Sequence, residues 1–302
     1  MPAYLTHKLA ATAAFDSIAD PEIRRVISEN FTEYLSGAQG GDFVYFRDYY
    51  LLVAGGRTKI YGWLTHRVRP AQFLTTASRY VKEHYSEKLM AYFFGYLNHY
   101  CQDKYVHPHV YRDTRNISTH TYLEQALDVM YADKFFGIDA TQLYREKELL
   151  ALISDVDELY AFHKYLARSV FYGFRLPKGA YDKSYWWWSR VARLTDQPSR
   201  FRRFWLKLYN ILLPFDLIAF IYKPKAEVET LYDYDKYYYY INKANRESVC
   251  YMKLVYDFAQ GLHDESVVSS AFYNINCLGK PILSWDERKA FRRAYRNAPT
   301  KR

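Results

Sequence analysis

The chain has 302 residues, with 42 Lys and Arg against 33 Asp and Glu, and a formal net charge of +9. Half of it is hydrophobic and a quarter charged, which excludes a disordered chain or a fibre and leaves one large domain or two modest ones. Three scattered cysteines (Cys101, Cys250, Cys277) form no CxxC pair, so a disulfide framework is excluded and any metal site must use His and carboxylates.

In chain order, the first residues, MPAYLTHKLAATAAFDS, have neither a basic leader region nor a long apolar run. No signal peptide is expected, and the cytoplasm is the expected compartment. Gly37-Ala38-Gln39-Gly40-Gly41 and Gly55-Gly56 read as loops between helices. The first is no phosphate cradle, because no Lys-Ser/Thr follows it. Residues 88–106 form an apolar helix that Pro108 is expected to end. In 119–136, Leu123, Leu127 and Met130 make one apolar stripe, with Thr119 as the candidate cap. Residues 142–172 repeat the helical period through Leu143, Leu149, Leu150, Ile153, Leu159, Phe162 and Leu166. Alternating strand-like runs are absent, so the fold class is all-α, a multi-helix bundle of roughly nine to twelve helices.

Composition shifts near residue 175, where histidine nearly vanishes and aromatic and basic residues mix. We place a boundary there, between a histidine-bearing helical core (1–175) and a Tyr-, Trp- and basic-rich helical extension (176–302) packing on it. Residues 204–222 approach the length of a membrane span. Lys207 and Asp216 interrupt them and Pro214 breaks the helix, so a hairpin in the core or at a membrane surface is preferred to a span. Trp186–Trp188 and Arg200–Trp205 could meet headgroups or bases, or serve packing. The run YDYDKYYYY at 232–240 is a local bias with no mechanism attached.

Tyr occurs 33 times, and seven of the nine histidines fall within the first 120 residues. Tyrosines on a basic chain could stack bases or lie at a lipid headgroup layer. The simpler reading has them replacing Phe and Leu at helix interfaces. The histidines carry the functional argument. His99, Asp103 and His107 are spaced four apart, and on a helix such positions differ by about 40° and share one face. One helix can hold a divalent metal through such a face. His120 and Glu124 repeat the spacing on the next helix, and Asp128 continues that face one turn further. Two such faces on consecutive antiparallel helices can meet inside a bundle, with the metal site between the helices. Zinc suits imidazole and carboxylate ligands, although iron and manganese also satisfy the pattern. Several carboxylates among several histidines suggest more than one ion, with Asp103 able to bridge.

The first half resembles the zinc-dependent phospholipase C family, an all-α fold related to the single-strand-specific zinc nucleases. The resemblance rests on Thr6-His7, the loop Gly37-Ala38-Gln39-Gly40-Gly41-Asp42, His66 in WLTHRV, the His99/Asp103 helix with a histidine beside a proline after it, and His120/Glu124. It covers residues 1–130 and fades beyond. It implies that Asp42, His66, His99 and Asp103 hold one zinc. His107 or His109, with His120 and Glu124, would hold a second, and His7 would share a third with Asp103, giving two or three ions. It further implies Asp42 as general base for the attacking water. Secreted members also use a processed N-terminal amine as a ligand, for which the counterpart here would be Met1 or Pro2.

The implied reaction is in-line attack of zinc-activated water on a phosphodiester, most simply that of a phospholipid. The basic charge fits an anionic substrate or an anionic membrane surface, where the chain could sit peripherally. Nuclease or nucleotide hydrolysis is the second reading, and a non-catalytic, zinc-stabilised binding protein the third. No protein partner is expected. His84, His163 and His263 are read as surface or capping residues, and Cys101 as packing.

Overall fold

A computed structural model describes residues 4–47, 56–211, 216–272 and 274–282. Met1, Pro2, Gly55 and Pro214, on which parts of the sequence reading rest, lie outside them. Among the described residues the chain forms fourteen α-helices and no strand, only an isolated bridge between Ile275 and Pro281. The helices are α1 (Tyr4–Asp16), α2 (Pro21–Glu29), α3 (Phe31–Gly37), α4 (Arg57–Thr65), α5 (Pro70–Glu83), α6 (Glu87–Asp113) and α7 (Ile117–Phe136). They continue as α8 (Arg145–Ala151), α9 (Val156–Val170), α10 (Asp182–Thr195), α11 (Arg200–Asn210), α12 (Lys225–Val228), α13 (Tyr234–Ala259) and α14 (Glu265–Ala271). The all-α class holds. The count exceeds the expected range because α3, α8, α12 and α14 are too short to show a full apolar period.

The axis of the molecule is α6, whose residues from Leu89 to Lys104 are all buried. Ser86 caps it, its hydroxyl accepting from the Leu89 amide at 3.0 Å. α3 lies along one side and α13 along another. The backbones of α3 and α6 touch, because Gly37 and Gly95 face each other there. A Cβ on Gly37 would strike the Tyr92 carbonyl, and one on Gly95 the Tyr34 carbonyl. The seam with α13 is polar and hydrogen-bonded at its centre, with Asn98 Oδ1 and Gln102 Oε1 buried there without a partner among the described residues. Gln102 donates to the Asn245 side-chain oxygen at 2.6 Å, and Asn98 donates to Asn245 and Ser248 at 3.1 and 2.9 Å.

Three helix limits differ from the sequence reading. Pro108 does not end α6, which runs on to Asp113. The proline removes one hydrogen bond to the Lys104 carbonyl. Neighbours hold both sides of that gap: His107 Nδ1 donates to the Cys277 carbonyl at 2.7 Å, and Gly279 packs against the Pro108 ring. The cap of α7 is Asn116 rather than Thr119. Asn116 accepts from the Thr119 amide at 2.9 Å while the Thr119 hydroxyl accepts from the Asn116 amide at 3.1 Å, a reciprocal capping box. The period over 142–172 is broken into α8 and α9, with Asp155 in a left-handed conformation at φ 34°.

Tyrosine does fill helix interfaces. Tyr34, Tyr61, Tyr92, Tyr100, Tyr131, Tyr181, Tyr185 and Tyr237 are among the largest fully buried side chains. The 232–240 run thus gains a partial account, since Tyr234, Tyr237 and Tyr238 are the buried positions in the first turns of α13. Among the described residues no helix is long and apolar enough to cross a membrane. The 204–222 stretch divides instead. Leu217 and residues Ala219 to Tyr222 are buried, whereas α11 keeps only Leu206 inside.

Candidate metal centre

Each candidate ligand stands on a different local device. His99, Asp103 and His107 lie on successive turns of α6, and all three are buried. His120 and Glu124 face them from the first turns of α7. His66 is the C-terminal cap residue of α4, Asp42 opens the 3-10 turn Asp42–Phe46, and His7 sits in the first turn of α1. The loop before Asp42 passes directly beneath the His99 imidazole. Gly40 there has φ 55°, and a Cβ at this position would fall inside that ring. Glycine is required twice over, by sterics and by backbone conformation.

The side chains form two groups joined at Asp103. One potential ligand atom from each of Asp42, His66, His99 and Asp103 lies within 4.8 Å of all the others, and His107, His120 and Glu124 form a second such set. His66 Nε2 is 2.9 Å from Asp42 Oδ1 and 3.3 Å from Asp103 Oδ2. His99 Nε2 is 3.4 Å from Asp103 Oδ2 and 3.8 Å from Asp42 Oδ2. Asp103 Oδ1 faces His7 Nε2 at 3.4 Å, and its Oδ2 faces His107 Nδ1 at 3.4 Å. His107 Nε2 and His120 Nε2 approach Glu124 Oε1 at 3.5 and 3.0 Å. Asp103 therefore touches both groups and His7.

Backbone carbonyls fix two of the imidazoles. His66 Nδ1 donates to the Gly62 carbonyl at 2.6 Å, and His107 Nδ1 donates to that of Cys277. Both bonds leave Nε2 aimed at the carboxylates, the nitrogen that would hold a metal in place of its proton. Burial alone would raise the Asp103 carboxyl, but His107 and His99 hold it well below the usual range. Asp42 is likewise held down against burial by His66 and His99. Burial lowers the His99 imidazole to about 4. His66 is raised to about 10 because Asp42 and Asp103 outweigh its burial.

This donor set fits a cation. Among the described residues both ring nitrogens of His99, Oδ2 of Asp103, and Nδ1 of His7 and of His120 are buried without a hydrogen-bond partner. Orphaned polar atoms are costly inside a protein, and a cation between His99 Nε2 and Asp103 Oδ2, 3.4 Å apart, would satisfy both. Imidazole and carboxylate without thiolate suit zinc.

Not every candidate gathers here. His109 points away from the groups and stacks on Tyr240 at 4.0 Å, because Pro108 lets α6 continue and places its ring on the opposite side. The α6 position facing Glu124 is His107. Asp128, on the α7 ligand face, stands outside the groups and accepts from the Thr6 and Leu5 amides at 2.6 and 3.2 Å, capping α1 and so setting His7. His163 is not a surface residue: it is buried, with the Tyr61 and Tyr92 hydroxyls on its two nitrogens at 3.0 and 2.6 Å. His84 is exposed, ends α5 as its C-cap residue and stacks on Tyr80, and His263 is exposed. Cys101 is fully buried, and burial pushes its thiol well up, consistent with packing.

A rim that the sequence did not signal surrounds the groups. Tyr45 lies 3.4 Å from His66 Nδ1, and the Tyr111 ring is 4.9 Å from that of His120 and 5.7 Å from that of His107. Arg67 stacks over Trp63 at 4.3 Å, and its charge opposes the upward shift that burial gives both phenols. Arg67 is one residue from His66, the only clue that could have found it.

A family profile described as zinc dependent phospholipase C matches residues 6–172, more than half of the 302-residue chain and well beyond residue 130. Neither the curated proteins nor the solved structures compared with the chain yield a match.

Proposed function

Because the chain belongs to the zinc-dependent phospholipase C family, we propose that it hydrolyses the phosphodiester of a phospholipid with two or three zinc ions in this centre. Two ligand groups sharing Asp103 carry the reading. Asp42, His66, His99 and Asp103 would hold one ion, and His107, His120 and Glu124 a second. His7 and Asp103 would share a third. Zinc supplies positive charge for the phosphoryl oxygens and makes water a nucleophile near neutral pH.

The remaining work belongs to the side chains. Asp42, kept ionised by His66 and His99, is the group to accept the proton of the attacking water. Arg67 carries a fixed positive charge at the rim, where it would orient an anionic phosphate or headgroup. Tyr45, Trp63 and Tyr111 present aromatic faces beside it. The donor count favours this reading over one closed structural site, since the seven residues of the two groups exceed the four ligands of a tetrahedral ion and the His107, His120 and Glu124 group supplies only three.

The test begins with elemental analysis of chain purified without chelator, followed by assays on phospholipid vesicles and single-stranded nucleic acid. Zinc-dependent release of a phosphorylated headgroup, lowered about 100-fold or more by Asp42→Asn, supports the reading. Hydrolysis of nucleic acid alone would move it to the nuclease class. Full zinc content with no turnover on any phosphodiester would leave zinc a structural role.

A further inference from the structure

α11 is amphipathic in the wrong sense for a helix packed on a protein. Leu206 is its only buried residue. At 100° per residue, Phe201, Phe204 and Leu208 lie about 140–160° around the helix from Leu206, on the side facing solvent. Phe201 is 73% exposed, Phe204 61%, Trp205 51% and Leu208 48%, and Ile211 just beyond the helix is 78% exposed. Single exposed apolar side chains are ordinary, but a contiguous stripe of this size marks an interaction surface.

The charges name the partner. Arg200 and Lys207 flank the stripe on one edge and Arg202 on the other, while Arg203 lies about 60° from Leu206 on the protein side; all four are exposed, and the helix carries no acidic residue. Among the described residues none of the four forms an ion pair with a carboxylate. Arg202 and Arg203 reach only backbone carbonyls, of Arg193 and Pro198. Trp186, 40% exposed on α10 with Arg190 stacked over it at 4.6 Å, repeats the aromatic and cationic chemistry. Phe, Trp and Leu between unpaired cations match an anionic lipid surface. The rings enter the headgroup layer while Arg and Lys stay at the phosphates. A helix of 11 residues is too short to span a bilayer and would lie in its plane.

We propose that α11 docks the protein on an anionic bilayer, with Phe201, Phe204, Trp205 and Leu208 inserted and Arg200, Arg202 and Lys207 on the lipid phosphates. The proposal needs no catalysis, so it can stand or fall apart from the hydrolase reading.

The experiment is co-sedimentation of the full, metal-loaded chain with vesicles of phosphatidylcholine alone or mixed with phosphatidylserine, at low and high salt. The expected result is binding to the mixed vesicles that weakens about 10-fold or more at high salt or without phosphatidylserine. Phe201→Ser/Trp205→Ser and, separately, Arg200→Glu/Lys207→Glu should each abolish it while zinc content and helical signal stay unchanged. The charge-reversal pair lies wholly on exposed positions, so it remains informative if the apolar pair misfolds. Absence of sedimentation at low salt, or binding indifferent to both pairs, overturns the proposal. So does a wild-type dimer in solution that becomes monomeric on Phe201→Ser/Trp205→Ser, which would make a second copy of the chain the occupant of this face.

Discussion

Tyr222 donates its hydroxyl hydrogen to Oδ2 of Asp128 at 2.6 Å, across 94 positions of sequence. The same carboxylate receives the Leu5 and Thr6 amides, so one buried group ties the C-terminal half, α7 and the start of α1 together. Removing it strands two amides of α1 beside His7. We expect Asp128→Ala to cost about 2–4 kcal/mol of stability and to weaken retention of the ion that His7 would share. Tyr222→Phe should cost about 1 kcal/mol. Denaturation midpoints and zinc content per chain measure both, and an Asp128→Ala protein with wild-type stability would refute the assignment.

The two ligand groups predict stepwise metal loss. His99→Ala should empty the group of Asp42, His66 and Asp103, and His120→Ala that of His107 and Glu124, with each variant retaining the other group's ion. The double variant should retain none. Elemental analysis after dialysis reads this directly, and loss of every ion from either single variant would mean one cooperative cluster instead.

Gly40 and Gly137 form a matched pair of tests. Both have positive φ, 55° and 64°, but a Cβ on Gly40 meets His99 whereas one on Gly137 meets nothing within 4 Å. Gly137→Ala should therefore cost only about 1 kcal/mol for its conformation. Gly40→Ala should cost more and displace His99, lowering zinc content as well as stability. Unchanged zinc in Gly40→Ala would show that the loop can move aside.

His163 predicts an acid-labile core. Its ring is enclosed by Tyr61, Tyr92, Phe162 and Phe43, and burial lowers its pKa from 6.5 to about 3. Above pH 6.5 the ring is neutral in both the folded and unfolded states and its contribution is fully present. As pH falls from 6.5 towards 3 only the unfolded chain takes up the proton, so stability falls. The slope is at most about 1.4 kcal/mol per pH unit. His163→Gln should flatten that part of the stability–pH curve relative to wild type, both measured with saturating zinc. Parallel curves would show that other groups govern the acid limb.

Local pattern made the helical class and the α6 and α7 faces legible, because four-residue spacing depends only on helix geometry. The resemblance supplied Asp42, His66 and His7, which sit on three other elements with no shared period. What stayed hidden was decided by distant partners. Pro108 reads as a terminator until the segment around Cys277 and Gly279 covers it, and only then is His107, rather than His109, turned towards Glu124. His163 reads as a surface residue until Tyr61 and Tyr92, 102 and 71 positions away, close on it. The α7 cap lies three residues before Thr119, because both partners of a capping box carry capping side chains.

The bond from His107 to Cys277 uses a main-chain oxygen, which every amino acid possesses. Residue 277 can thus orient the imidazole whatever its side chain, and substitutions there need not disturb the ligand provided the backbone path persists. The family pattern ends at residue 172, while the physical support of the centre reaches 105 positions further by a contact that leaves no signature in the alphabet of side chains. Sequence in the tail can drift while its carbonyl stays in place, and a chain shortened to the matched region would lose that anchor without losing any proposed ligand.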